Sequence, residues 1–199
     1  MFTEEEILAE VQKIQYLYGL KREIRYAEKR ADKTESVAEH IYGMHICALY
    51  FLELENPDHT WNRERIFEMI TVHDFDELET GDMIGYLKTA SDRENEVTAM
   101  GVVLGKIPDV MKRSIEVAST EYQLQNTIES RFVKAIDKIE AQIHTFCDEG
   151  KKMSLLNHCE EKAIRTMREP HIIEFLKMHP FFTTVHTKMI EQDYFAQST

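Results

Sequence analysis

The stretch TIESRFVKAIDKIEAQIHTFC, residues 127–147, decides the fold. Ile128, Phe132, Ile136, Ile139, Ile143 and Phe146 recur at three- and four-residue intervals, which traces one buried stripe along an α-helix. Asp137 lies at the edge of that stripe, one turn from Val133. A carboxylate there is costly unless it is paired, hydrogen-bonded or bound to a metal, so the rest of the chain has to supply a partner.

Outward from this helix no alternating strand pattern appears, and the expected fold class is all-α, a single helical bundle. Ile7, Val11, Ile14, Leu17 and Tyr18 mark an amphipathic first helix ending near Gly19. KREIRYAEKRADK, residues 21–33, is basic for so acidic a chain and loses helical periodicity after its start, as solvated runs commonly do. Thr34 is placed to cap a helix through ESVAEHIYGMHICALYFLEL, in which Val37, Ile41, Met44, Ala48 and Leu52 face inward, His40 borders them and Asn56-Pro57 is the stop. Asn62 caps the next helix, whose inner face of Ile66, Met69, Ile70 and His73 runs into Asp74. A polar turn with Thr80-Gly81-Asp82 leads to a short helix near 83–88 and another over about 92–104; Pro108 suits the first turn of a helix reaching about Glu121. The last fifty residues carry two or three more helices, with Pro170 and Pro180 at first-turn positions and Phe181, Phe182, Val185, Met189 and Ile190 as buried candidates.

With 43% hydrophobic and 30% charged residues, and only 7 Gly and 4 Pro, the chain has the composition of a globular protein, not of a disordered one. Its 199 residues fit one domain over 1–199, with a motif-bearing core at about 21–142 and C-terminal helices over 150–199 packed on it. A net charge of −12 argues against polymeric nucleic acid or an anionic membrane as partner. It leaves a small phosphate ester open, because one bound cation and one or two basic residues reverse the potential inside a single cleft. Cys47, Cys147 and Cys159 form neither an even set nor a C-x-x-C pair, the amino terminus MFTEEEILAEV is acidic where a signal peptide is basic, and no apolar run reaches bilayer length. The expected location is cytoplasmic.

Asp74, like Asp137, sits beside an apolar stripe. Imidazole and carboxylate together suit borderline divalent ions, and His40, His73, Asp74 and Asp137 make such a mixed set from three helices, with room left for water and substrate. Singly these residues do not stand out, since a lone histidine on an apolar face is more often a satisfied core residue than a ligand. His45, His59, His144, His158, His171, His179 and His186 are read in that way, and Cys47 and the methionines as packing. The paired Glu-x-x-His motifs of a carboxylate-bridged di-iron bundle do not occur.

ESVAEH (35–40), HDFDELETGD (73–82) and RFVKAIDKIEA (131–141) follow one another in order, an arrangement that resembles the HD-domain metal-dependent phosphohydrolases and looks like their 5′-deoxynucleotidase branch. The resemblance runs from about Lys21 to Gln142. It implies one divalent metal ion (Mn, Co, Ni, Fe, Zn or Mg) held by His40, His73, Asp74 and Asp137. It implies Glu77 beside the attacking water, with Glu77 and Asp74 as catalytic residues and Asp82 reaching the substrate sugar. Where the branch places an arginine and a tryptophan to hold phosphate and sugar, this chain has Arg25 and Tyr26; the tyrosine can still stack on a ribose. The implied activity is a 5′-nucleotidase hydrolysing (deoxy)nucleoside 5′-monophosphates to nucleoside and phosphate. The alternatives are an HD hydrolase of another phosphate ester or nucleoside triphosphate, and a non-catalytic nucleotide sensor. Members of the family are commonly dimers, and the apolar C-terminal segment could supply a homodimer interface or close the core.

If these roles hold, Asp137→Ala is expected to lose the metal, whereas Glu77→Ala keeps it and loses turnover. Metal content by elemental analysis beside phosphate release checks this, and a metal-free, fully active Asp137→Ala protein would overturn the ligand assignment.

Overall fold

Capping chemistry sets where the helices begin. The computed structural model describes residues 4–25, 35–83, 89–156 and 158–196. Helix α1 (Glu4–Leu17) passes into a 3₁₀ turn, Tyr18–Lys21. Ser36 then starts α2 (Val37–Glu55) with a capping box: its hydroxyl accepts from the Glu39 N–H, and the Glu39 carboxylate accepts from the Ser36 N–H at 2.7 Å. The cap is therefore Ser36 and not Thr34, which lies outside the described residues. Ser36 has a glutamate three positions on to return the bond, where Thr34 has Val37.

Asn62 caps α3 (Arg63–Val72), accepting from the Arg65 N–H at 3.0 Å. A turn through residues 73–76 leads to the single-turn α4 (Glu77–Thr80), which Gly81 ends at φ 68°, a left-handed conformation that favours glycine. Of the short helix expected near 83–88, all but Met83 lies outside the described residues. Capping boxes at Thr89 and Thr127 open α5 (Ala90–Lys106) and α7 (Ile128–Thr145), and Pro108 precedes α6 (Asp109–Leu124). The chain ends in α8 (Asp148–Leu156), α9 (Glu161–Ile172) and α10 (Met178–Glu191). Among the described residues the only strand-like pairing is one bridge between Ile24 and Ser36.

Helix α7 is the axis, packed against α2, α3, α6, α9 and α10. Its Phe132, Val133, Ala135, Ile136 and Ile139 are buried with Met44, Phe51, Ile66, Ile70 and Ile172 in the main core, while Ile143 and Phe146 are exposed, so the expected stripe loses its cover in the last turn. Pro170 lies inside α9 near its end, not in a first turn. Burial of Ile164, Arg168 and Ile172 along one face carries that helix past the backbone bond the ring removes. Pro180 is in the first turn of α10, where Phe182 and Met189 are buried and Val185 partly so, but Phe181 and Ile190 face outward. The apolar stripe of α1 is also turned to solvent, with Ile7, Val11 and Ile14 exposed. No helix among the described residues is long and apolar enough to cross a membrane.

The α3–α6–α7 corner that carries the site is clamped by Glu121, which accepts from Arg65 Nε and from the Thr127 hydroxyl, each at 2.6 Å. Burial pushes the Glu121 carboxyl up, but the Thr127 hydroxyl and the Arg65 guanidinium outweigh it and hold the group below its ordinary value. A depressed folded-state pKa gives stability that is fully present above the unfolded carboxylate value, about 4.3, and is lost as the pH falls through the folded value. Glu121→Gln is expected to cost about 1 kcal/mol at neutral pH, discounted for partial exposure, with the difference from wild type shrinking below about pH 4. Urea unfolding at both pH values checks this, and an equal difference at each would refute it.

Candidate metal centre

The start of α2 at Ser36 puts His40 on the inward face with Val37, Met44 and Ala48, and its imidazole is 1% exposed. His73 closes α3, where its Nδ1 lies 2.9 Å from the Ile70 carbonyl. A carbonyl only accepts, so Nδ1 carries the proton and Nε2 offers a lone pair. That Nε2 is buried and makes no hydrogen bond, although Asp74 Oδ2 lies 2.9 Å away. A ring nitrogen and a carboxylate oxygen this close, off the hydrogen-bonding line, are disposed as two donors to a common cation.

His40 completes the arrangement from the opposite side. Its Nδ1 donates to Glu140 Oε2 at 2.6 Å, and its Nε2 lies 3.4 Å from Asp137 Oδ1. The two rings meet edge to face at 5.5 Å between centroids. Ligand atoms of His40, His73 and Asp74 lie within 4.8 Å of one another, and Asp137 joins them through His40. The structure thus brings the four expected ligands together from α2, the end of α3 and α7. Two imidazoles and two carboxylates are the donor set a borderline divalent ion takes, and the orphaned His73 Nε2 fits such an ion.

The electrostatics run the same way. Burial pushes Asp137 up, but Lys138, Lys134 and His40 outweigh it and hold the carboxyl well below its usual range. Burial also pushes Asp74 up, and His73 and His40 pull it below. Burial and the Arg25 charge push His40 down, yet Asp137 and Glu140 hold it up to about 9. This cluster draws positive charge, by proton or by metal.

Asp137 Oδ2 is bonded to residues that line a 540 Å³ pocket. Lys138 donates to that oxygen at 2.9 Å, the Tyr122 hydroxyl at 3.3 Å, and Lys134 reaches that hydroxyl at 2.9 Å. Burial pushes Lys138 down to about 8 against the pull of Asp137. Asp74, Asp76 and His171 share the wall. His171 is therefore part of the pocket and not plain packing, because α9 lies along α7.

The other expected residues sit elsewhere. Glu77 opens α4 and is buried, its N–H bonded to the Asp74 carbonyl at 3.2 Å, off the pocket wall. Asp82 follows Gly81, half-buried. Arg25 stands on the Nδ1 side of His40, with Nη1 2.7 Å from Glu35 and 3.7 Å from Glu140. Tyr26 lies outside the described residues. Sequence reasoning missed Glu140, Lys134, Lys138 and Tyr122. Glu140 and Lys134 stand three residues from Asp137 on α7, so helical spacing pointed to them; Lys138, adjacent to Asp137, and Tyr122 had no such signal.

The chain is also similar to known proteins over most of its length. The model of the HD domain family matches residues 17–174. The chain is similar to the 5′-deoxynucleotidase HDDC2 of Danio rerio, 30% identical over 147 residues, 72% of this chain and 71% of that protein. To the HDDC2 of Xenopus laevis it is 30% identical over 114 residues, 56% of this chain and 54% of that one. Its fold superposes on a predicted metal-dependent phosphohydrolase from Magnetospirillum magnetotacticum MS-1 with a TM-score of 0.77, covering 98% of this chain and 100% of that chain at 21% identity.

A cation binding only the folded chain adds stability by mass action, about 2.7 kcal/mol at a hundredfold excess over Kd. Re-adding metal after chelation is expected to raise the melting temperature by roughly 5–10 °C for a chain of this size. Asp74→Ala is expected to abolish the shift; a shift of wild-type size in that variant would remove Asp74 from the ligand set.

Proposed function

This chain belongs to the HD-domain family, and we propose that it is a metal-dependent phosphomonoesterase hydrolysing (deoxy)nucleoside 5′-monophosphates to nucleoside and phosphate. The observation that carries the reading is the junction at Asp137, whose one oxygen lies beside His40 and whose other is held by Lys138, Lys134 and Tyr122, all three on the wall of the pocket. A volume of 540 Å³ falls in the range of small-molecule sites, roughly 300–1,000 Å³. The relatives named 5′-deoxynucleotidase support a mononucleotide as the ester.

His40, His73, Asp74 and Asp137 would hold the cation. When bound, a divalent ion supplies Lewis acidity, activating water and polarising a phosphoryl oxygen. The chain's own residues bind and orient. Lys134 and Lys138 offset the charge of the phosphate, which in so acidic a protein has few other counter-charges. Tyr122, tied to both Asp137 and Lys134, holds the lysine toward the pocket. Glu77, anchored to the His73-Asp74 turn through its backbone, orients the attacking water and takes its proton. Asp82, past the turn at Gly81, would meet a sugar hydroxyl; phosphate and sugar contacts from Arg25 and Tyr26 are what the family resemblance implies, and in this structure Arg25 is bonded to Glu35 and does not line the pocket. Three free cysteines fit a reducing cytoplasm.

The deciding experiment is phosphate release from nucleoside and deoxynucleoside monophosphates, triphosphates and sugar phosphates, after chelation and re-addition of Mn, Co, Ni, Mg or Zn singly. Metal-restored release from the 5′-monophosphates is expected. Release from triphosphates or sugar phosphates alone would move the substrate class, and silence throughout would leave a nucleotide sensor. Lys134→Gln is expected to retain the metal and lose about ten- to a hundredfold in kcat/KM, roughly 1.4–2.8 kcal/mol; unchanged kinetics would take Lys134 out of the phosphate site.

A further inference from the structure

One helix grips His40 by both ring nitrogens. Asp137 and Glu140 are three residues apart on α7 and so share a face. The imidazole fits between them, with Nε2 3.4 Å from Asp137 Oδ1 and Nδ1 2.6 Å from Glu140 Oε2. Glu140 is 5% exposed, and a carboxylate that deep needs partners. It finds the His40 N–H and, at 3.7 Å, the Arg25 guanidinium, which is itself bonded to Glu35. Glu35, His40 and Glu140 also bring ligand atoms within 4.8 Å of one another, but there Arg25 already supplies the positive charge.

The second observation is a space. Gly43, one turn after His40 on α2, sits in a helix interior, where nearly every other residue forms helix better. A Cβ built on Gly43 would strike Glu140 Oε1 and stand 3.1 Å from its Cδ and 3.3 Å from its Cγ. The bare backbone of α2 is the seat in which the Glu140 carboxylate lies. With a side chain there, the carboxylate has to swing away, and the His40 N–H loses its acceptor.

We propose that Glu140, admitted by Gly43, is the positioning residue that turns His40 Nε2 onto the cation. The proposal rests on the reading of His40 as a metal ligand and is independent of the substrate. Glu140 does not touch the cation; it accepts the Nδ1 proton, which selects the ring tautomer with a lone pair on Nε2 and fixes the ring plane. Gly43 acts one step further out by keeping the seat empty.

The test is Co(II) affinity by competition with a chromophoric chelator, read beside helical content by circular dichroism. Glu140→Ala is expected to weaken Co(II) binding about ten- to a hundredfold, the usual span for an outer partner of a ligating histidine. Glu140→Gln, which keeps an acceptor oxygen in the same seat, is expected to recover most of that loss, as a purely structural role for the charge would not. Gly43→Ala is expected to weaken Co(II) binding comparably while its helical content stays that of wild type. The double variant Gly43→Ala/Glu140→Ala is expected to bind no more weakly than Glu140→Ala alone, because both changes remove one contact. Wild-type Co(II) affinity in Gly43→Ala, or losses that multiply in the double variant, would overturn the proposal. If Glu140→Ala does not fold, Gly43→Ala and Glu140→Gln decide the matter. A wild-type protein that takes up no cation would overturn the metal-centre reading itself, a result distinct from variants that bind as well as wild type.

Discussion

Asp137, buried, and Asp74, partly so, stand beside two imidazoles in a helical protein, and the cost of taking their charge from water governs what surrounds them. Desolvating one carboxylate costs on the order of several kcal/mol even after relaxation, comparable to a whole domain's net stability. Local hydrogen bonds do not offset that. The fold answers with two lysines, Lys134 and Lys138, on one oxygen of Asp137, and with an imidazole nitrogen beside each aspartate, His40 at the other oxygen of Asp137 and His73 at Asp74. Two imidazoles and two carboxylates so gathered are the donor set that a borderline divalent cation takes.

Helix α7 carries both halves of the problem. One side, from Phe132 to Ile139, is the apolar axis against which α2, α3, α9 and α10 pack. Its margin, from Lys134 to Glu140, carries every charged group that α7 brings to the centre. Rigidity from the first serves the second, since a metal ligand set tolerates little displacement and the core allows little. The capping boxes at Ser36 and Thr127 fix where α2 and α7 begin and hence the rotation at which His40 and Asp137 face each other.

The two imidazoles of the candidate centre are held from behind in different ways. His73 donates Nδ1–H to a carbonyl of its own helix, a bond within three residues of chain. His40 donates to Glu140, a hundred residues away, so its orientation depends on α2 and α7 being docked.

The amino-acid sequence alone determined the helical class, the stops and caps at Asn56 and Asn62, the inward face of α7 and the four residues His40, His73, Asp74 and Asp137. The class, the stops and caps and the inward face follow from local periodicity and capping chemistry; the four residues stand out only through the resemblance that their ordered motifs bear to the HD-domain phosphohydrolases. Tertiary structure alone decided what lies within reach through space. It set Glu140 into the seat at Gly43, put Tyr122 and His171 on the pocket wall and left the apolar stripe of α1 facing solvent. It also carried Pro170 inside α9, where burial along one face outweighs the backbone bond lost. Those outcomes depend on how helices distant in sequence dock, and a pattern with a period of 3.6 residues holds no record of which neighbour will cover it.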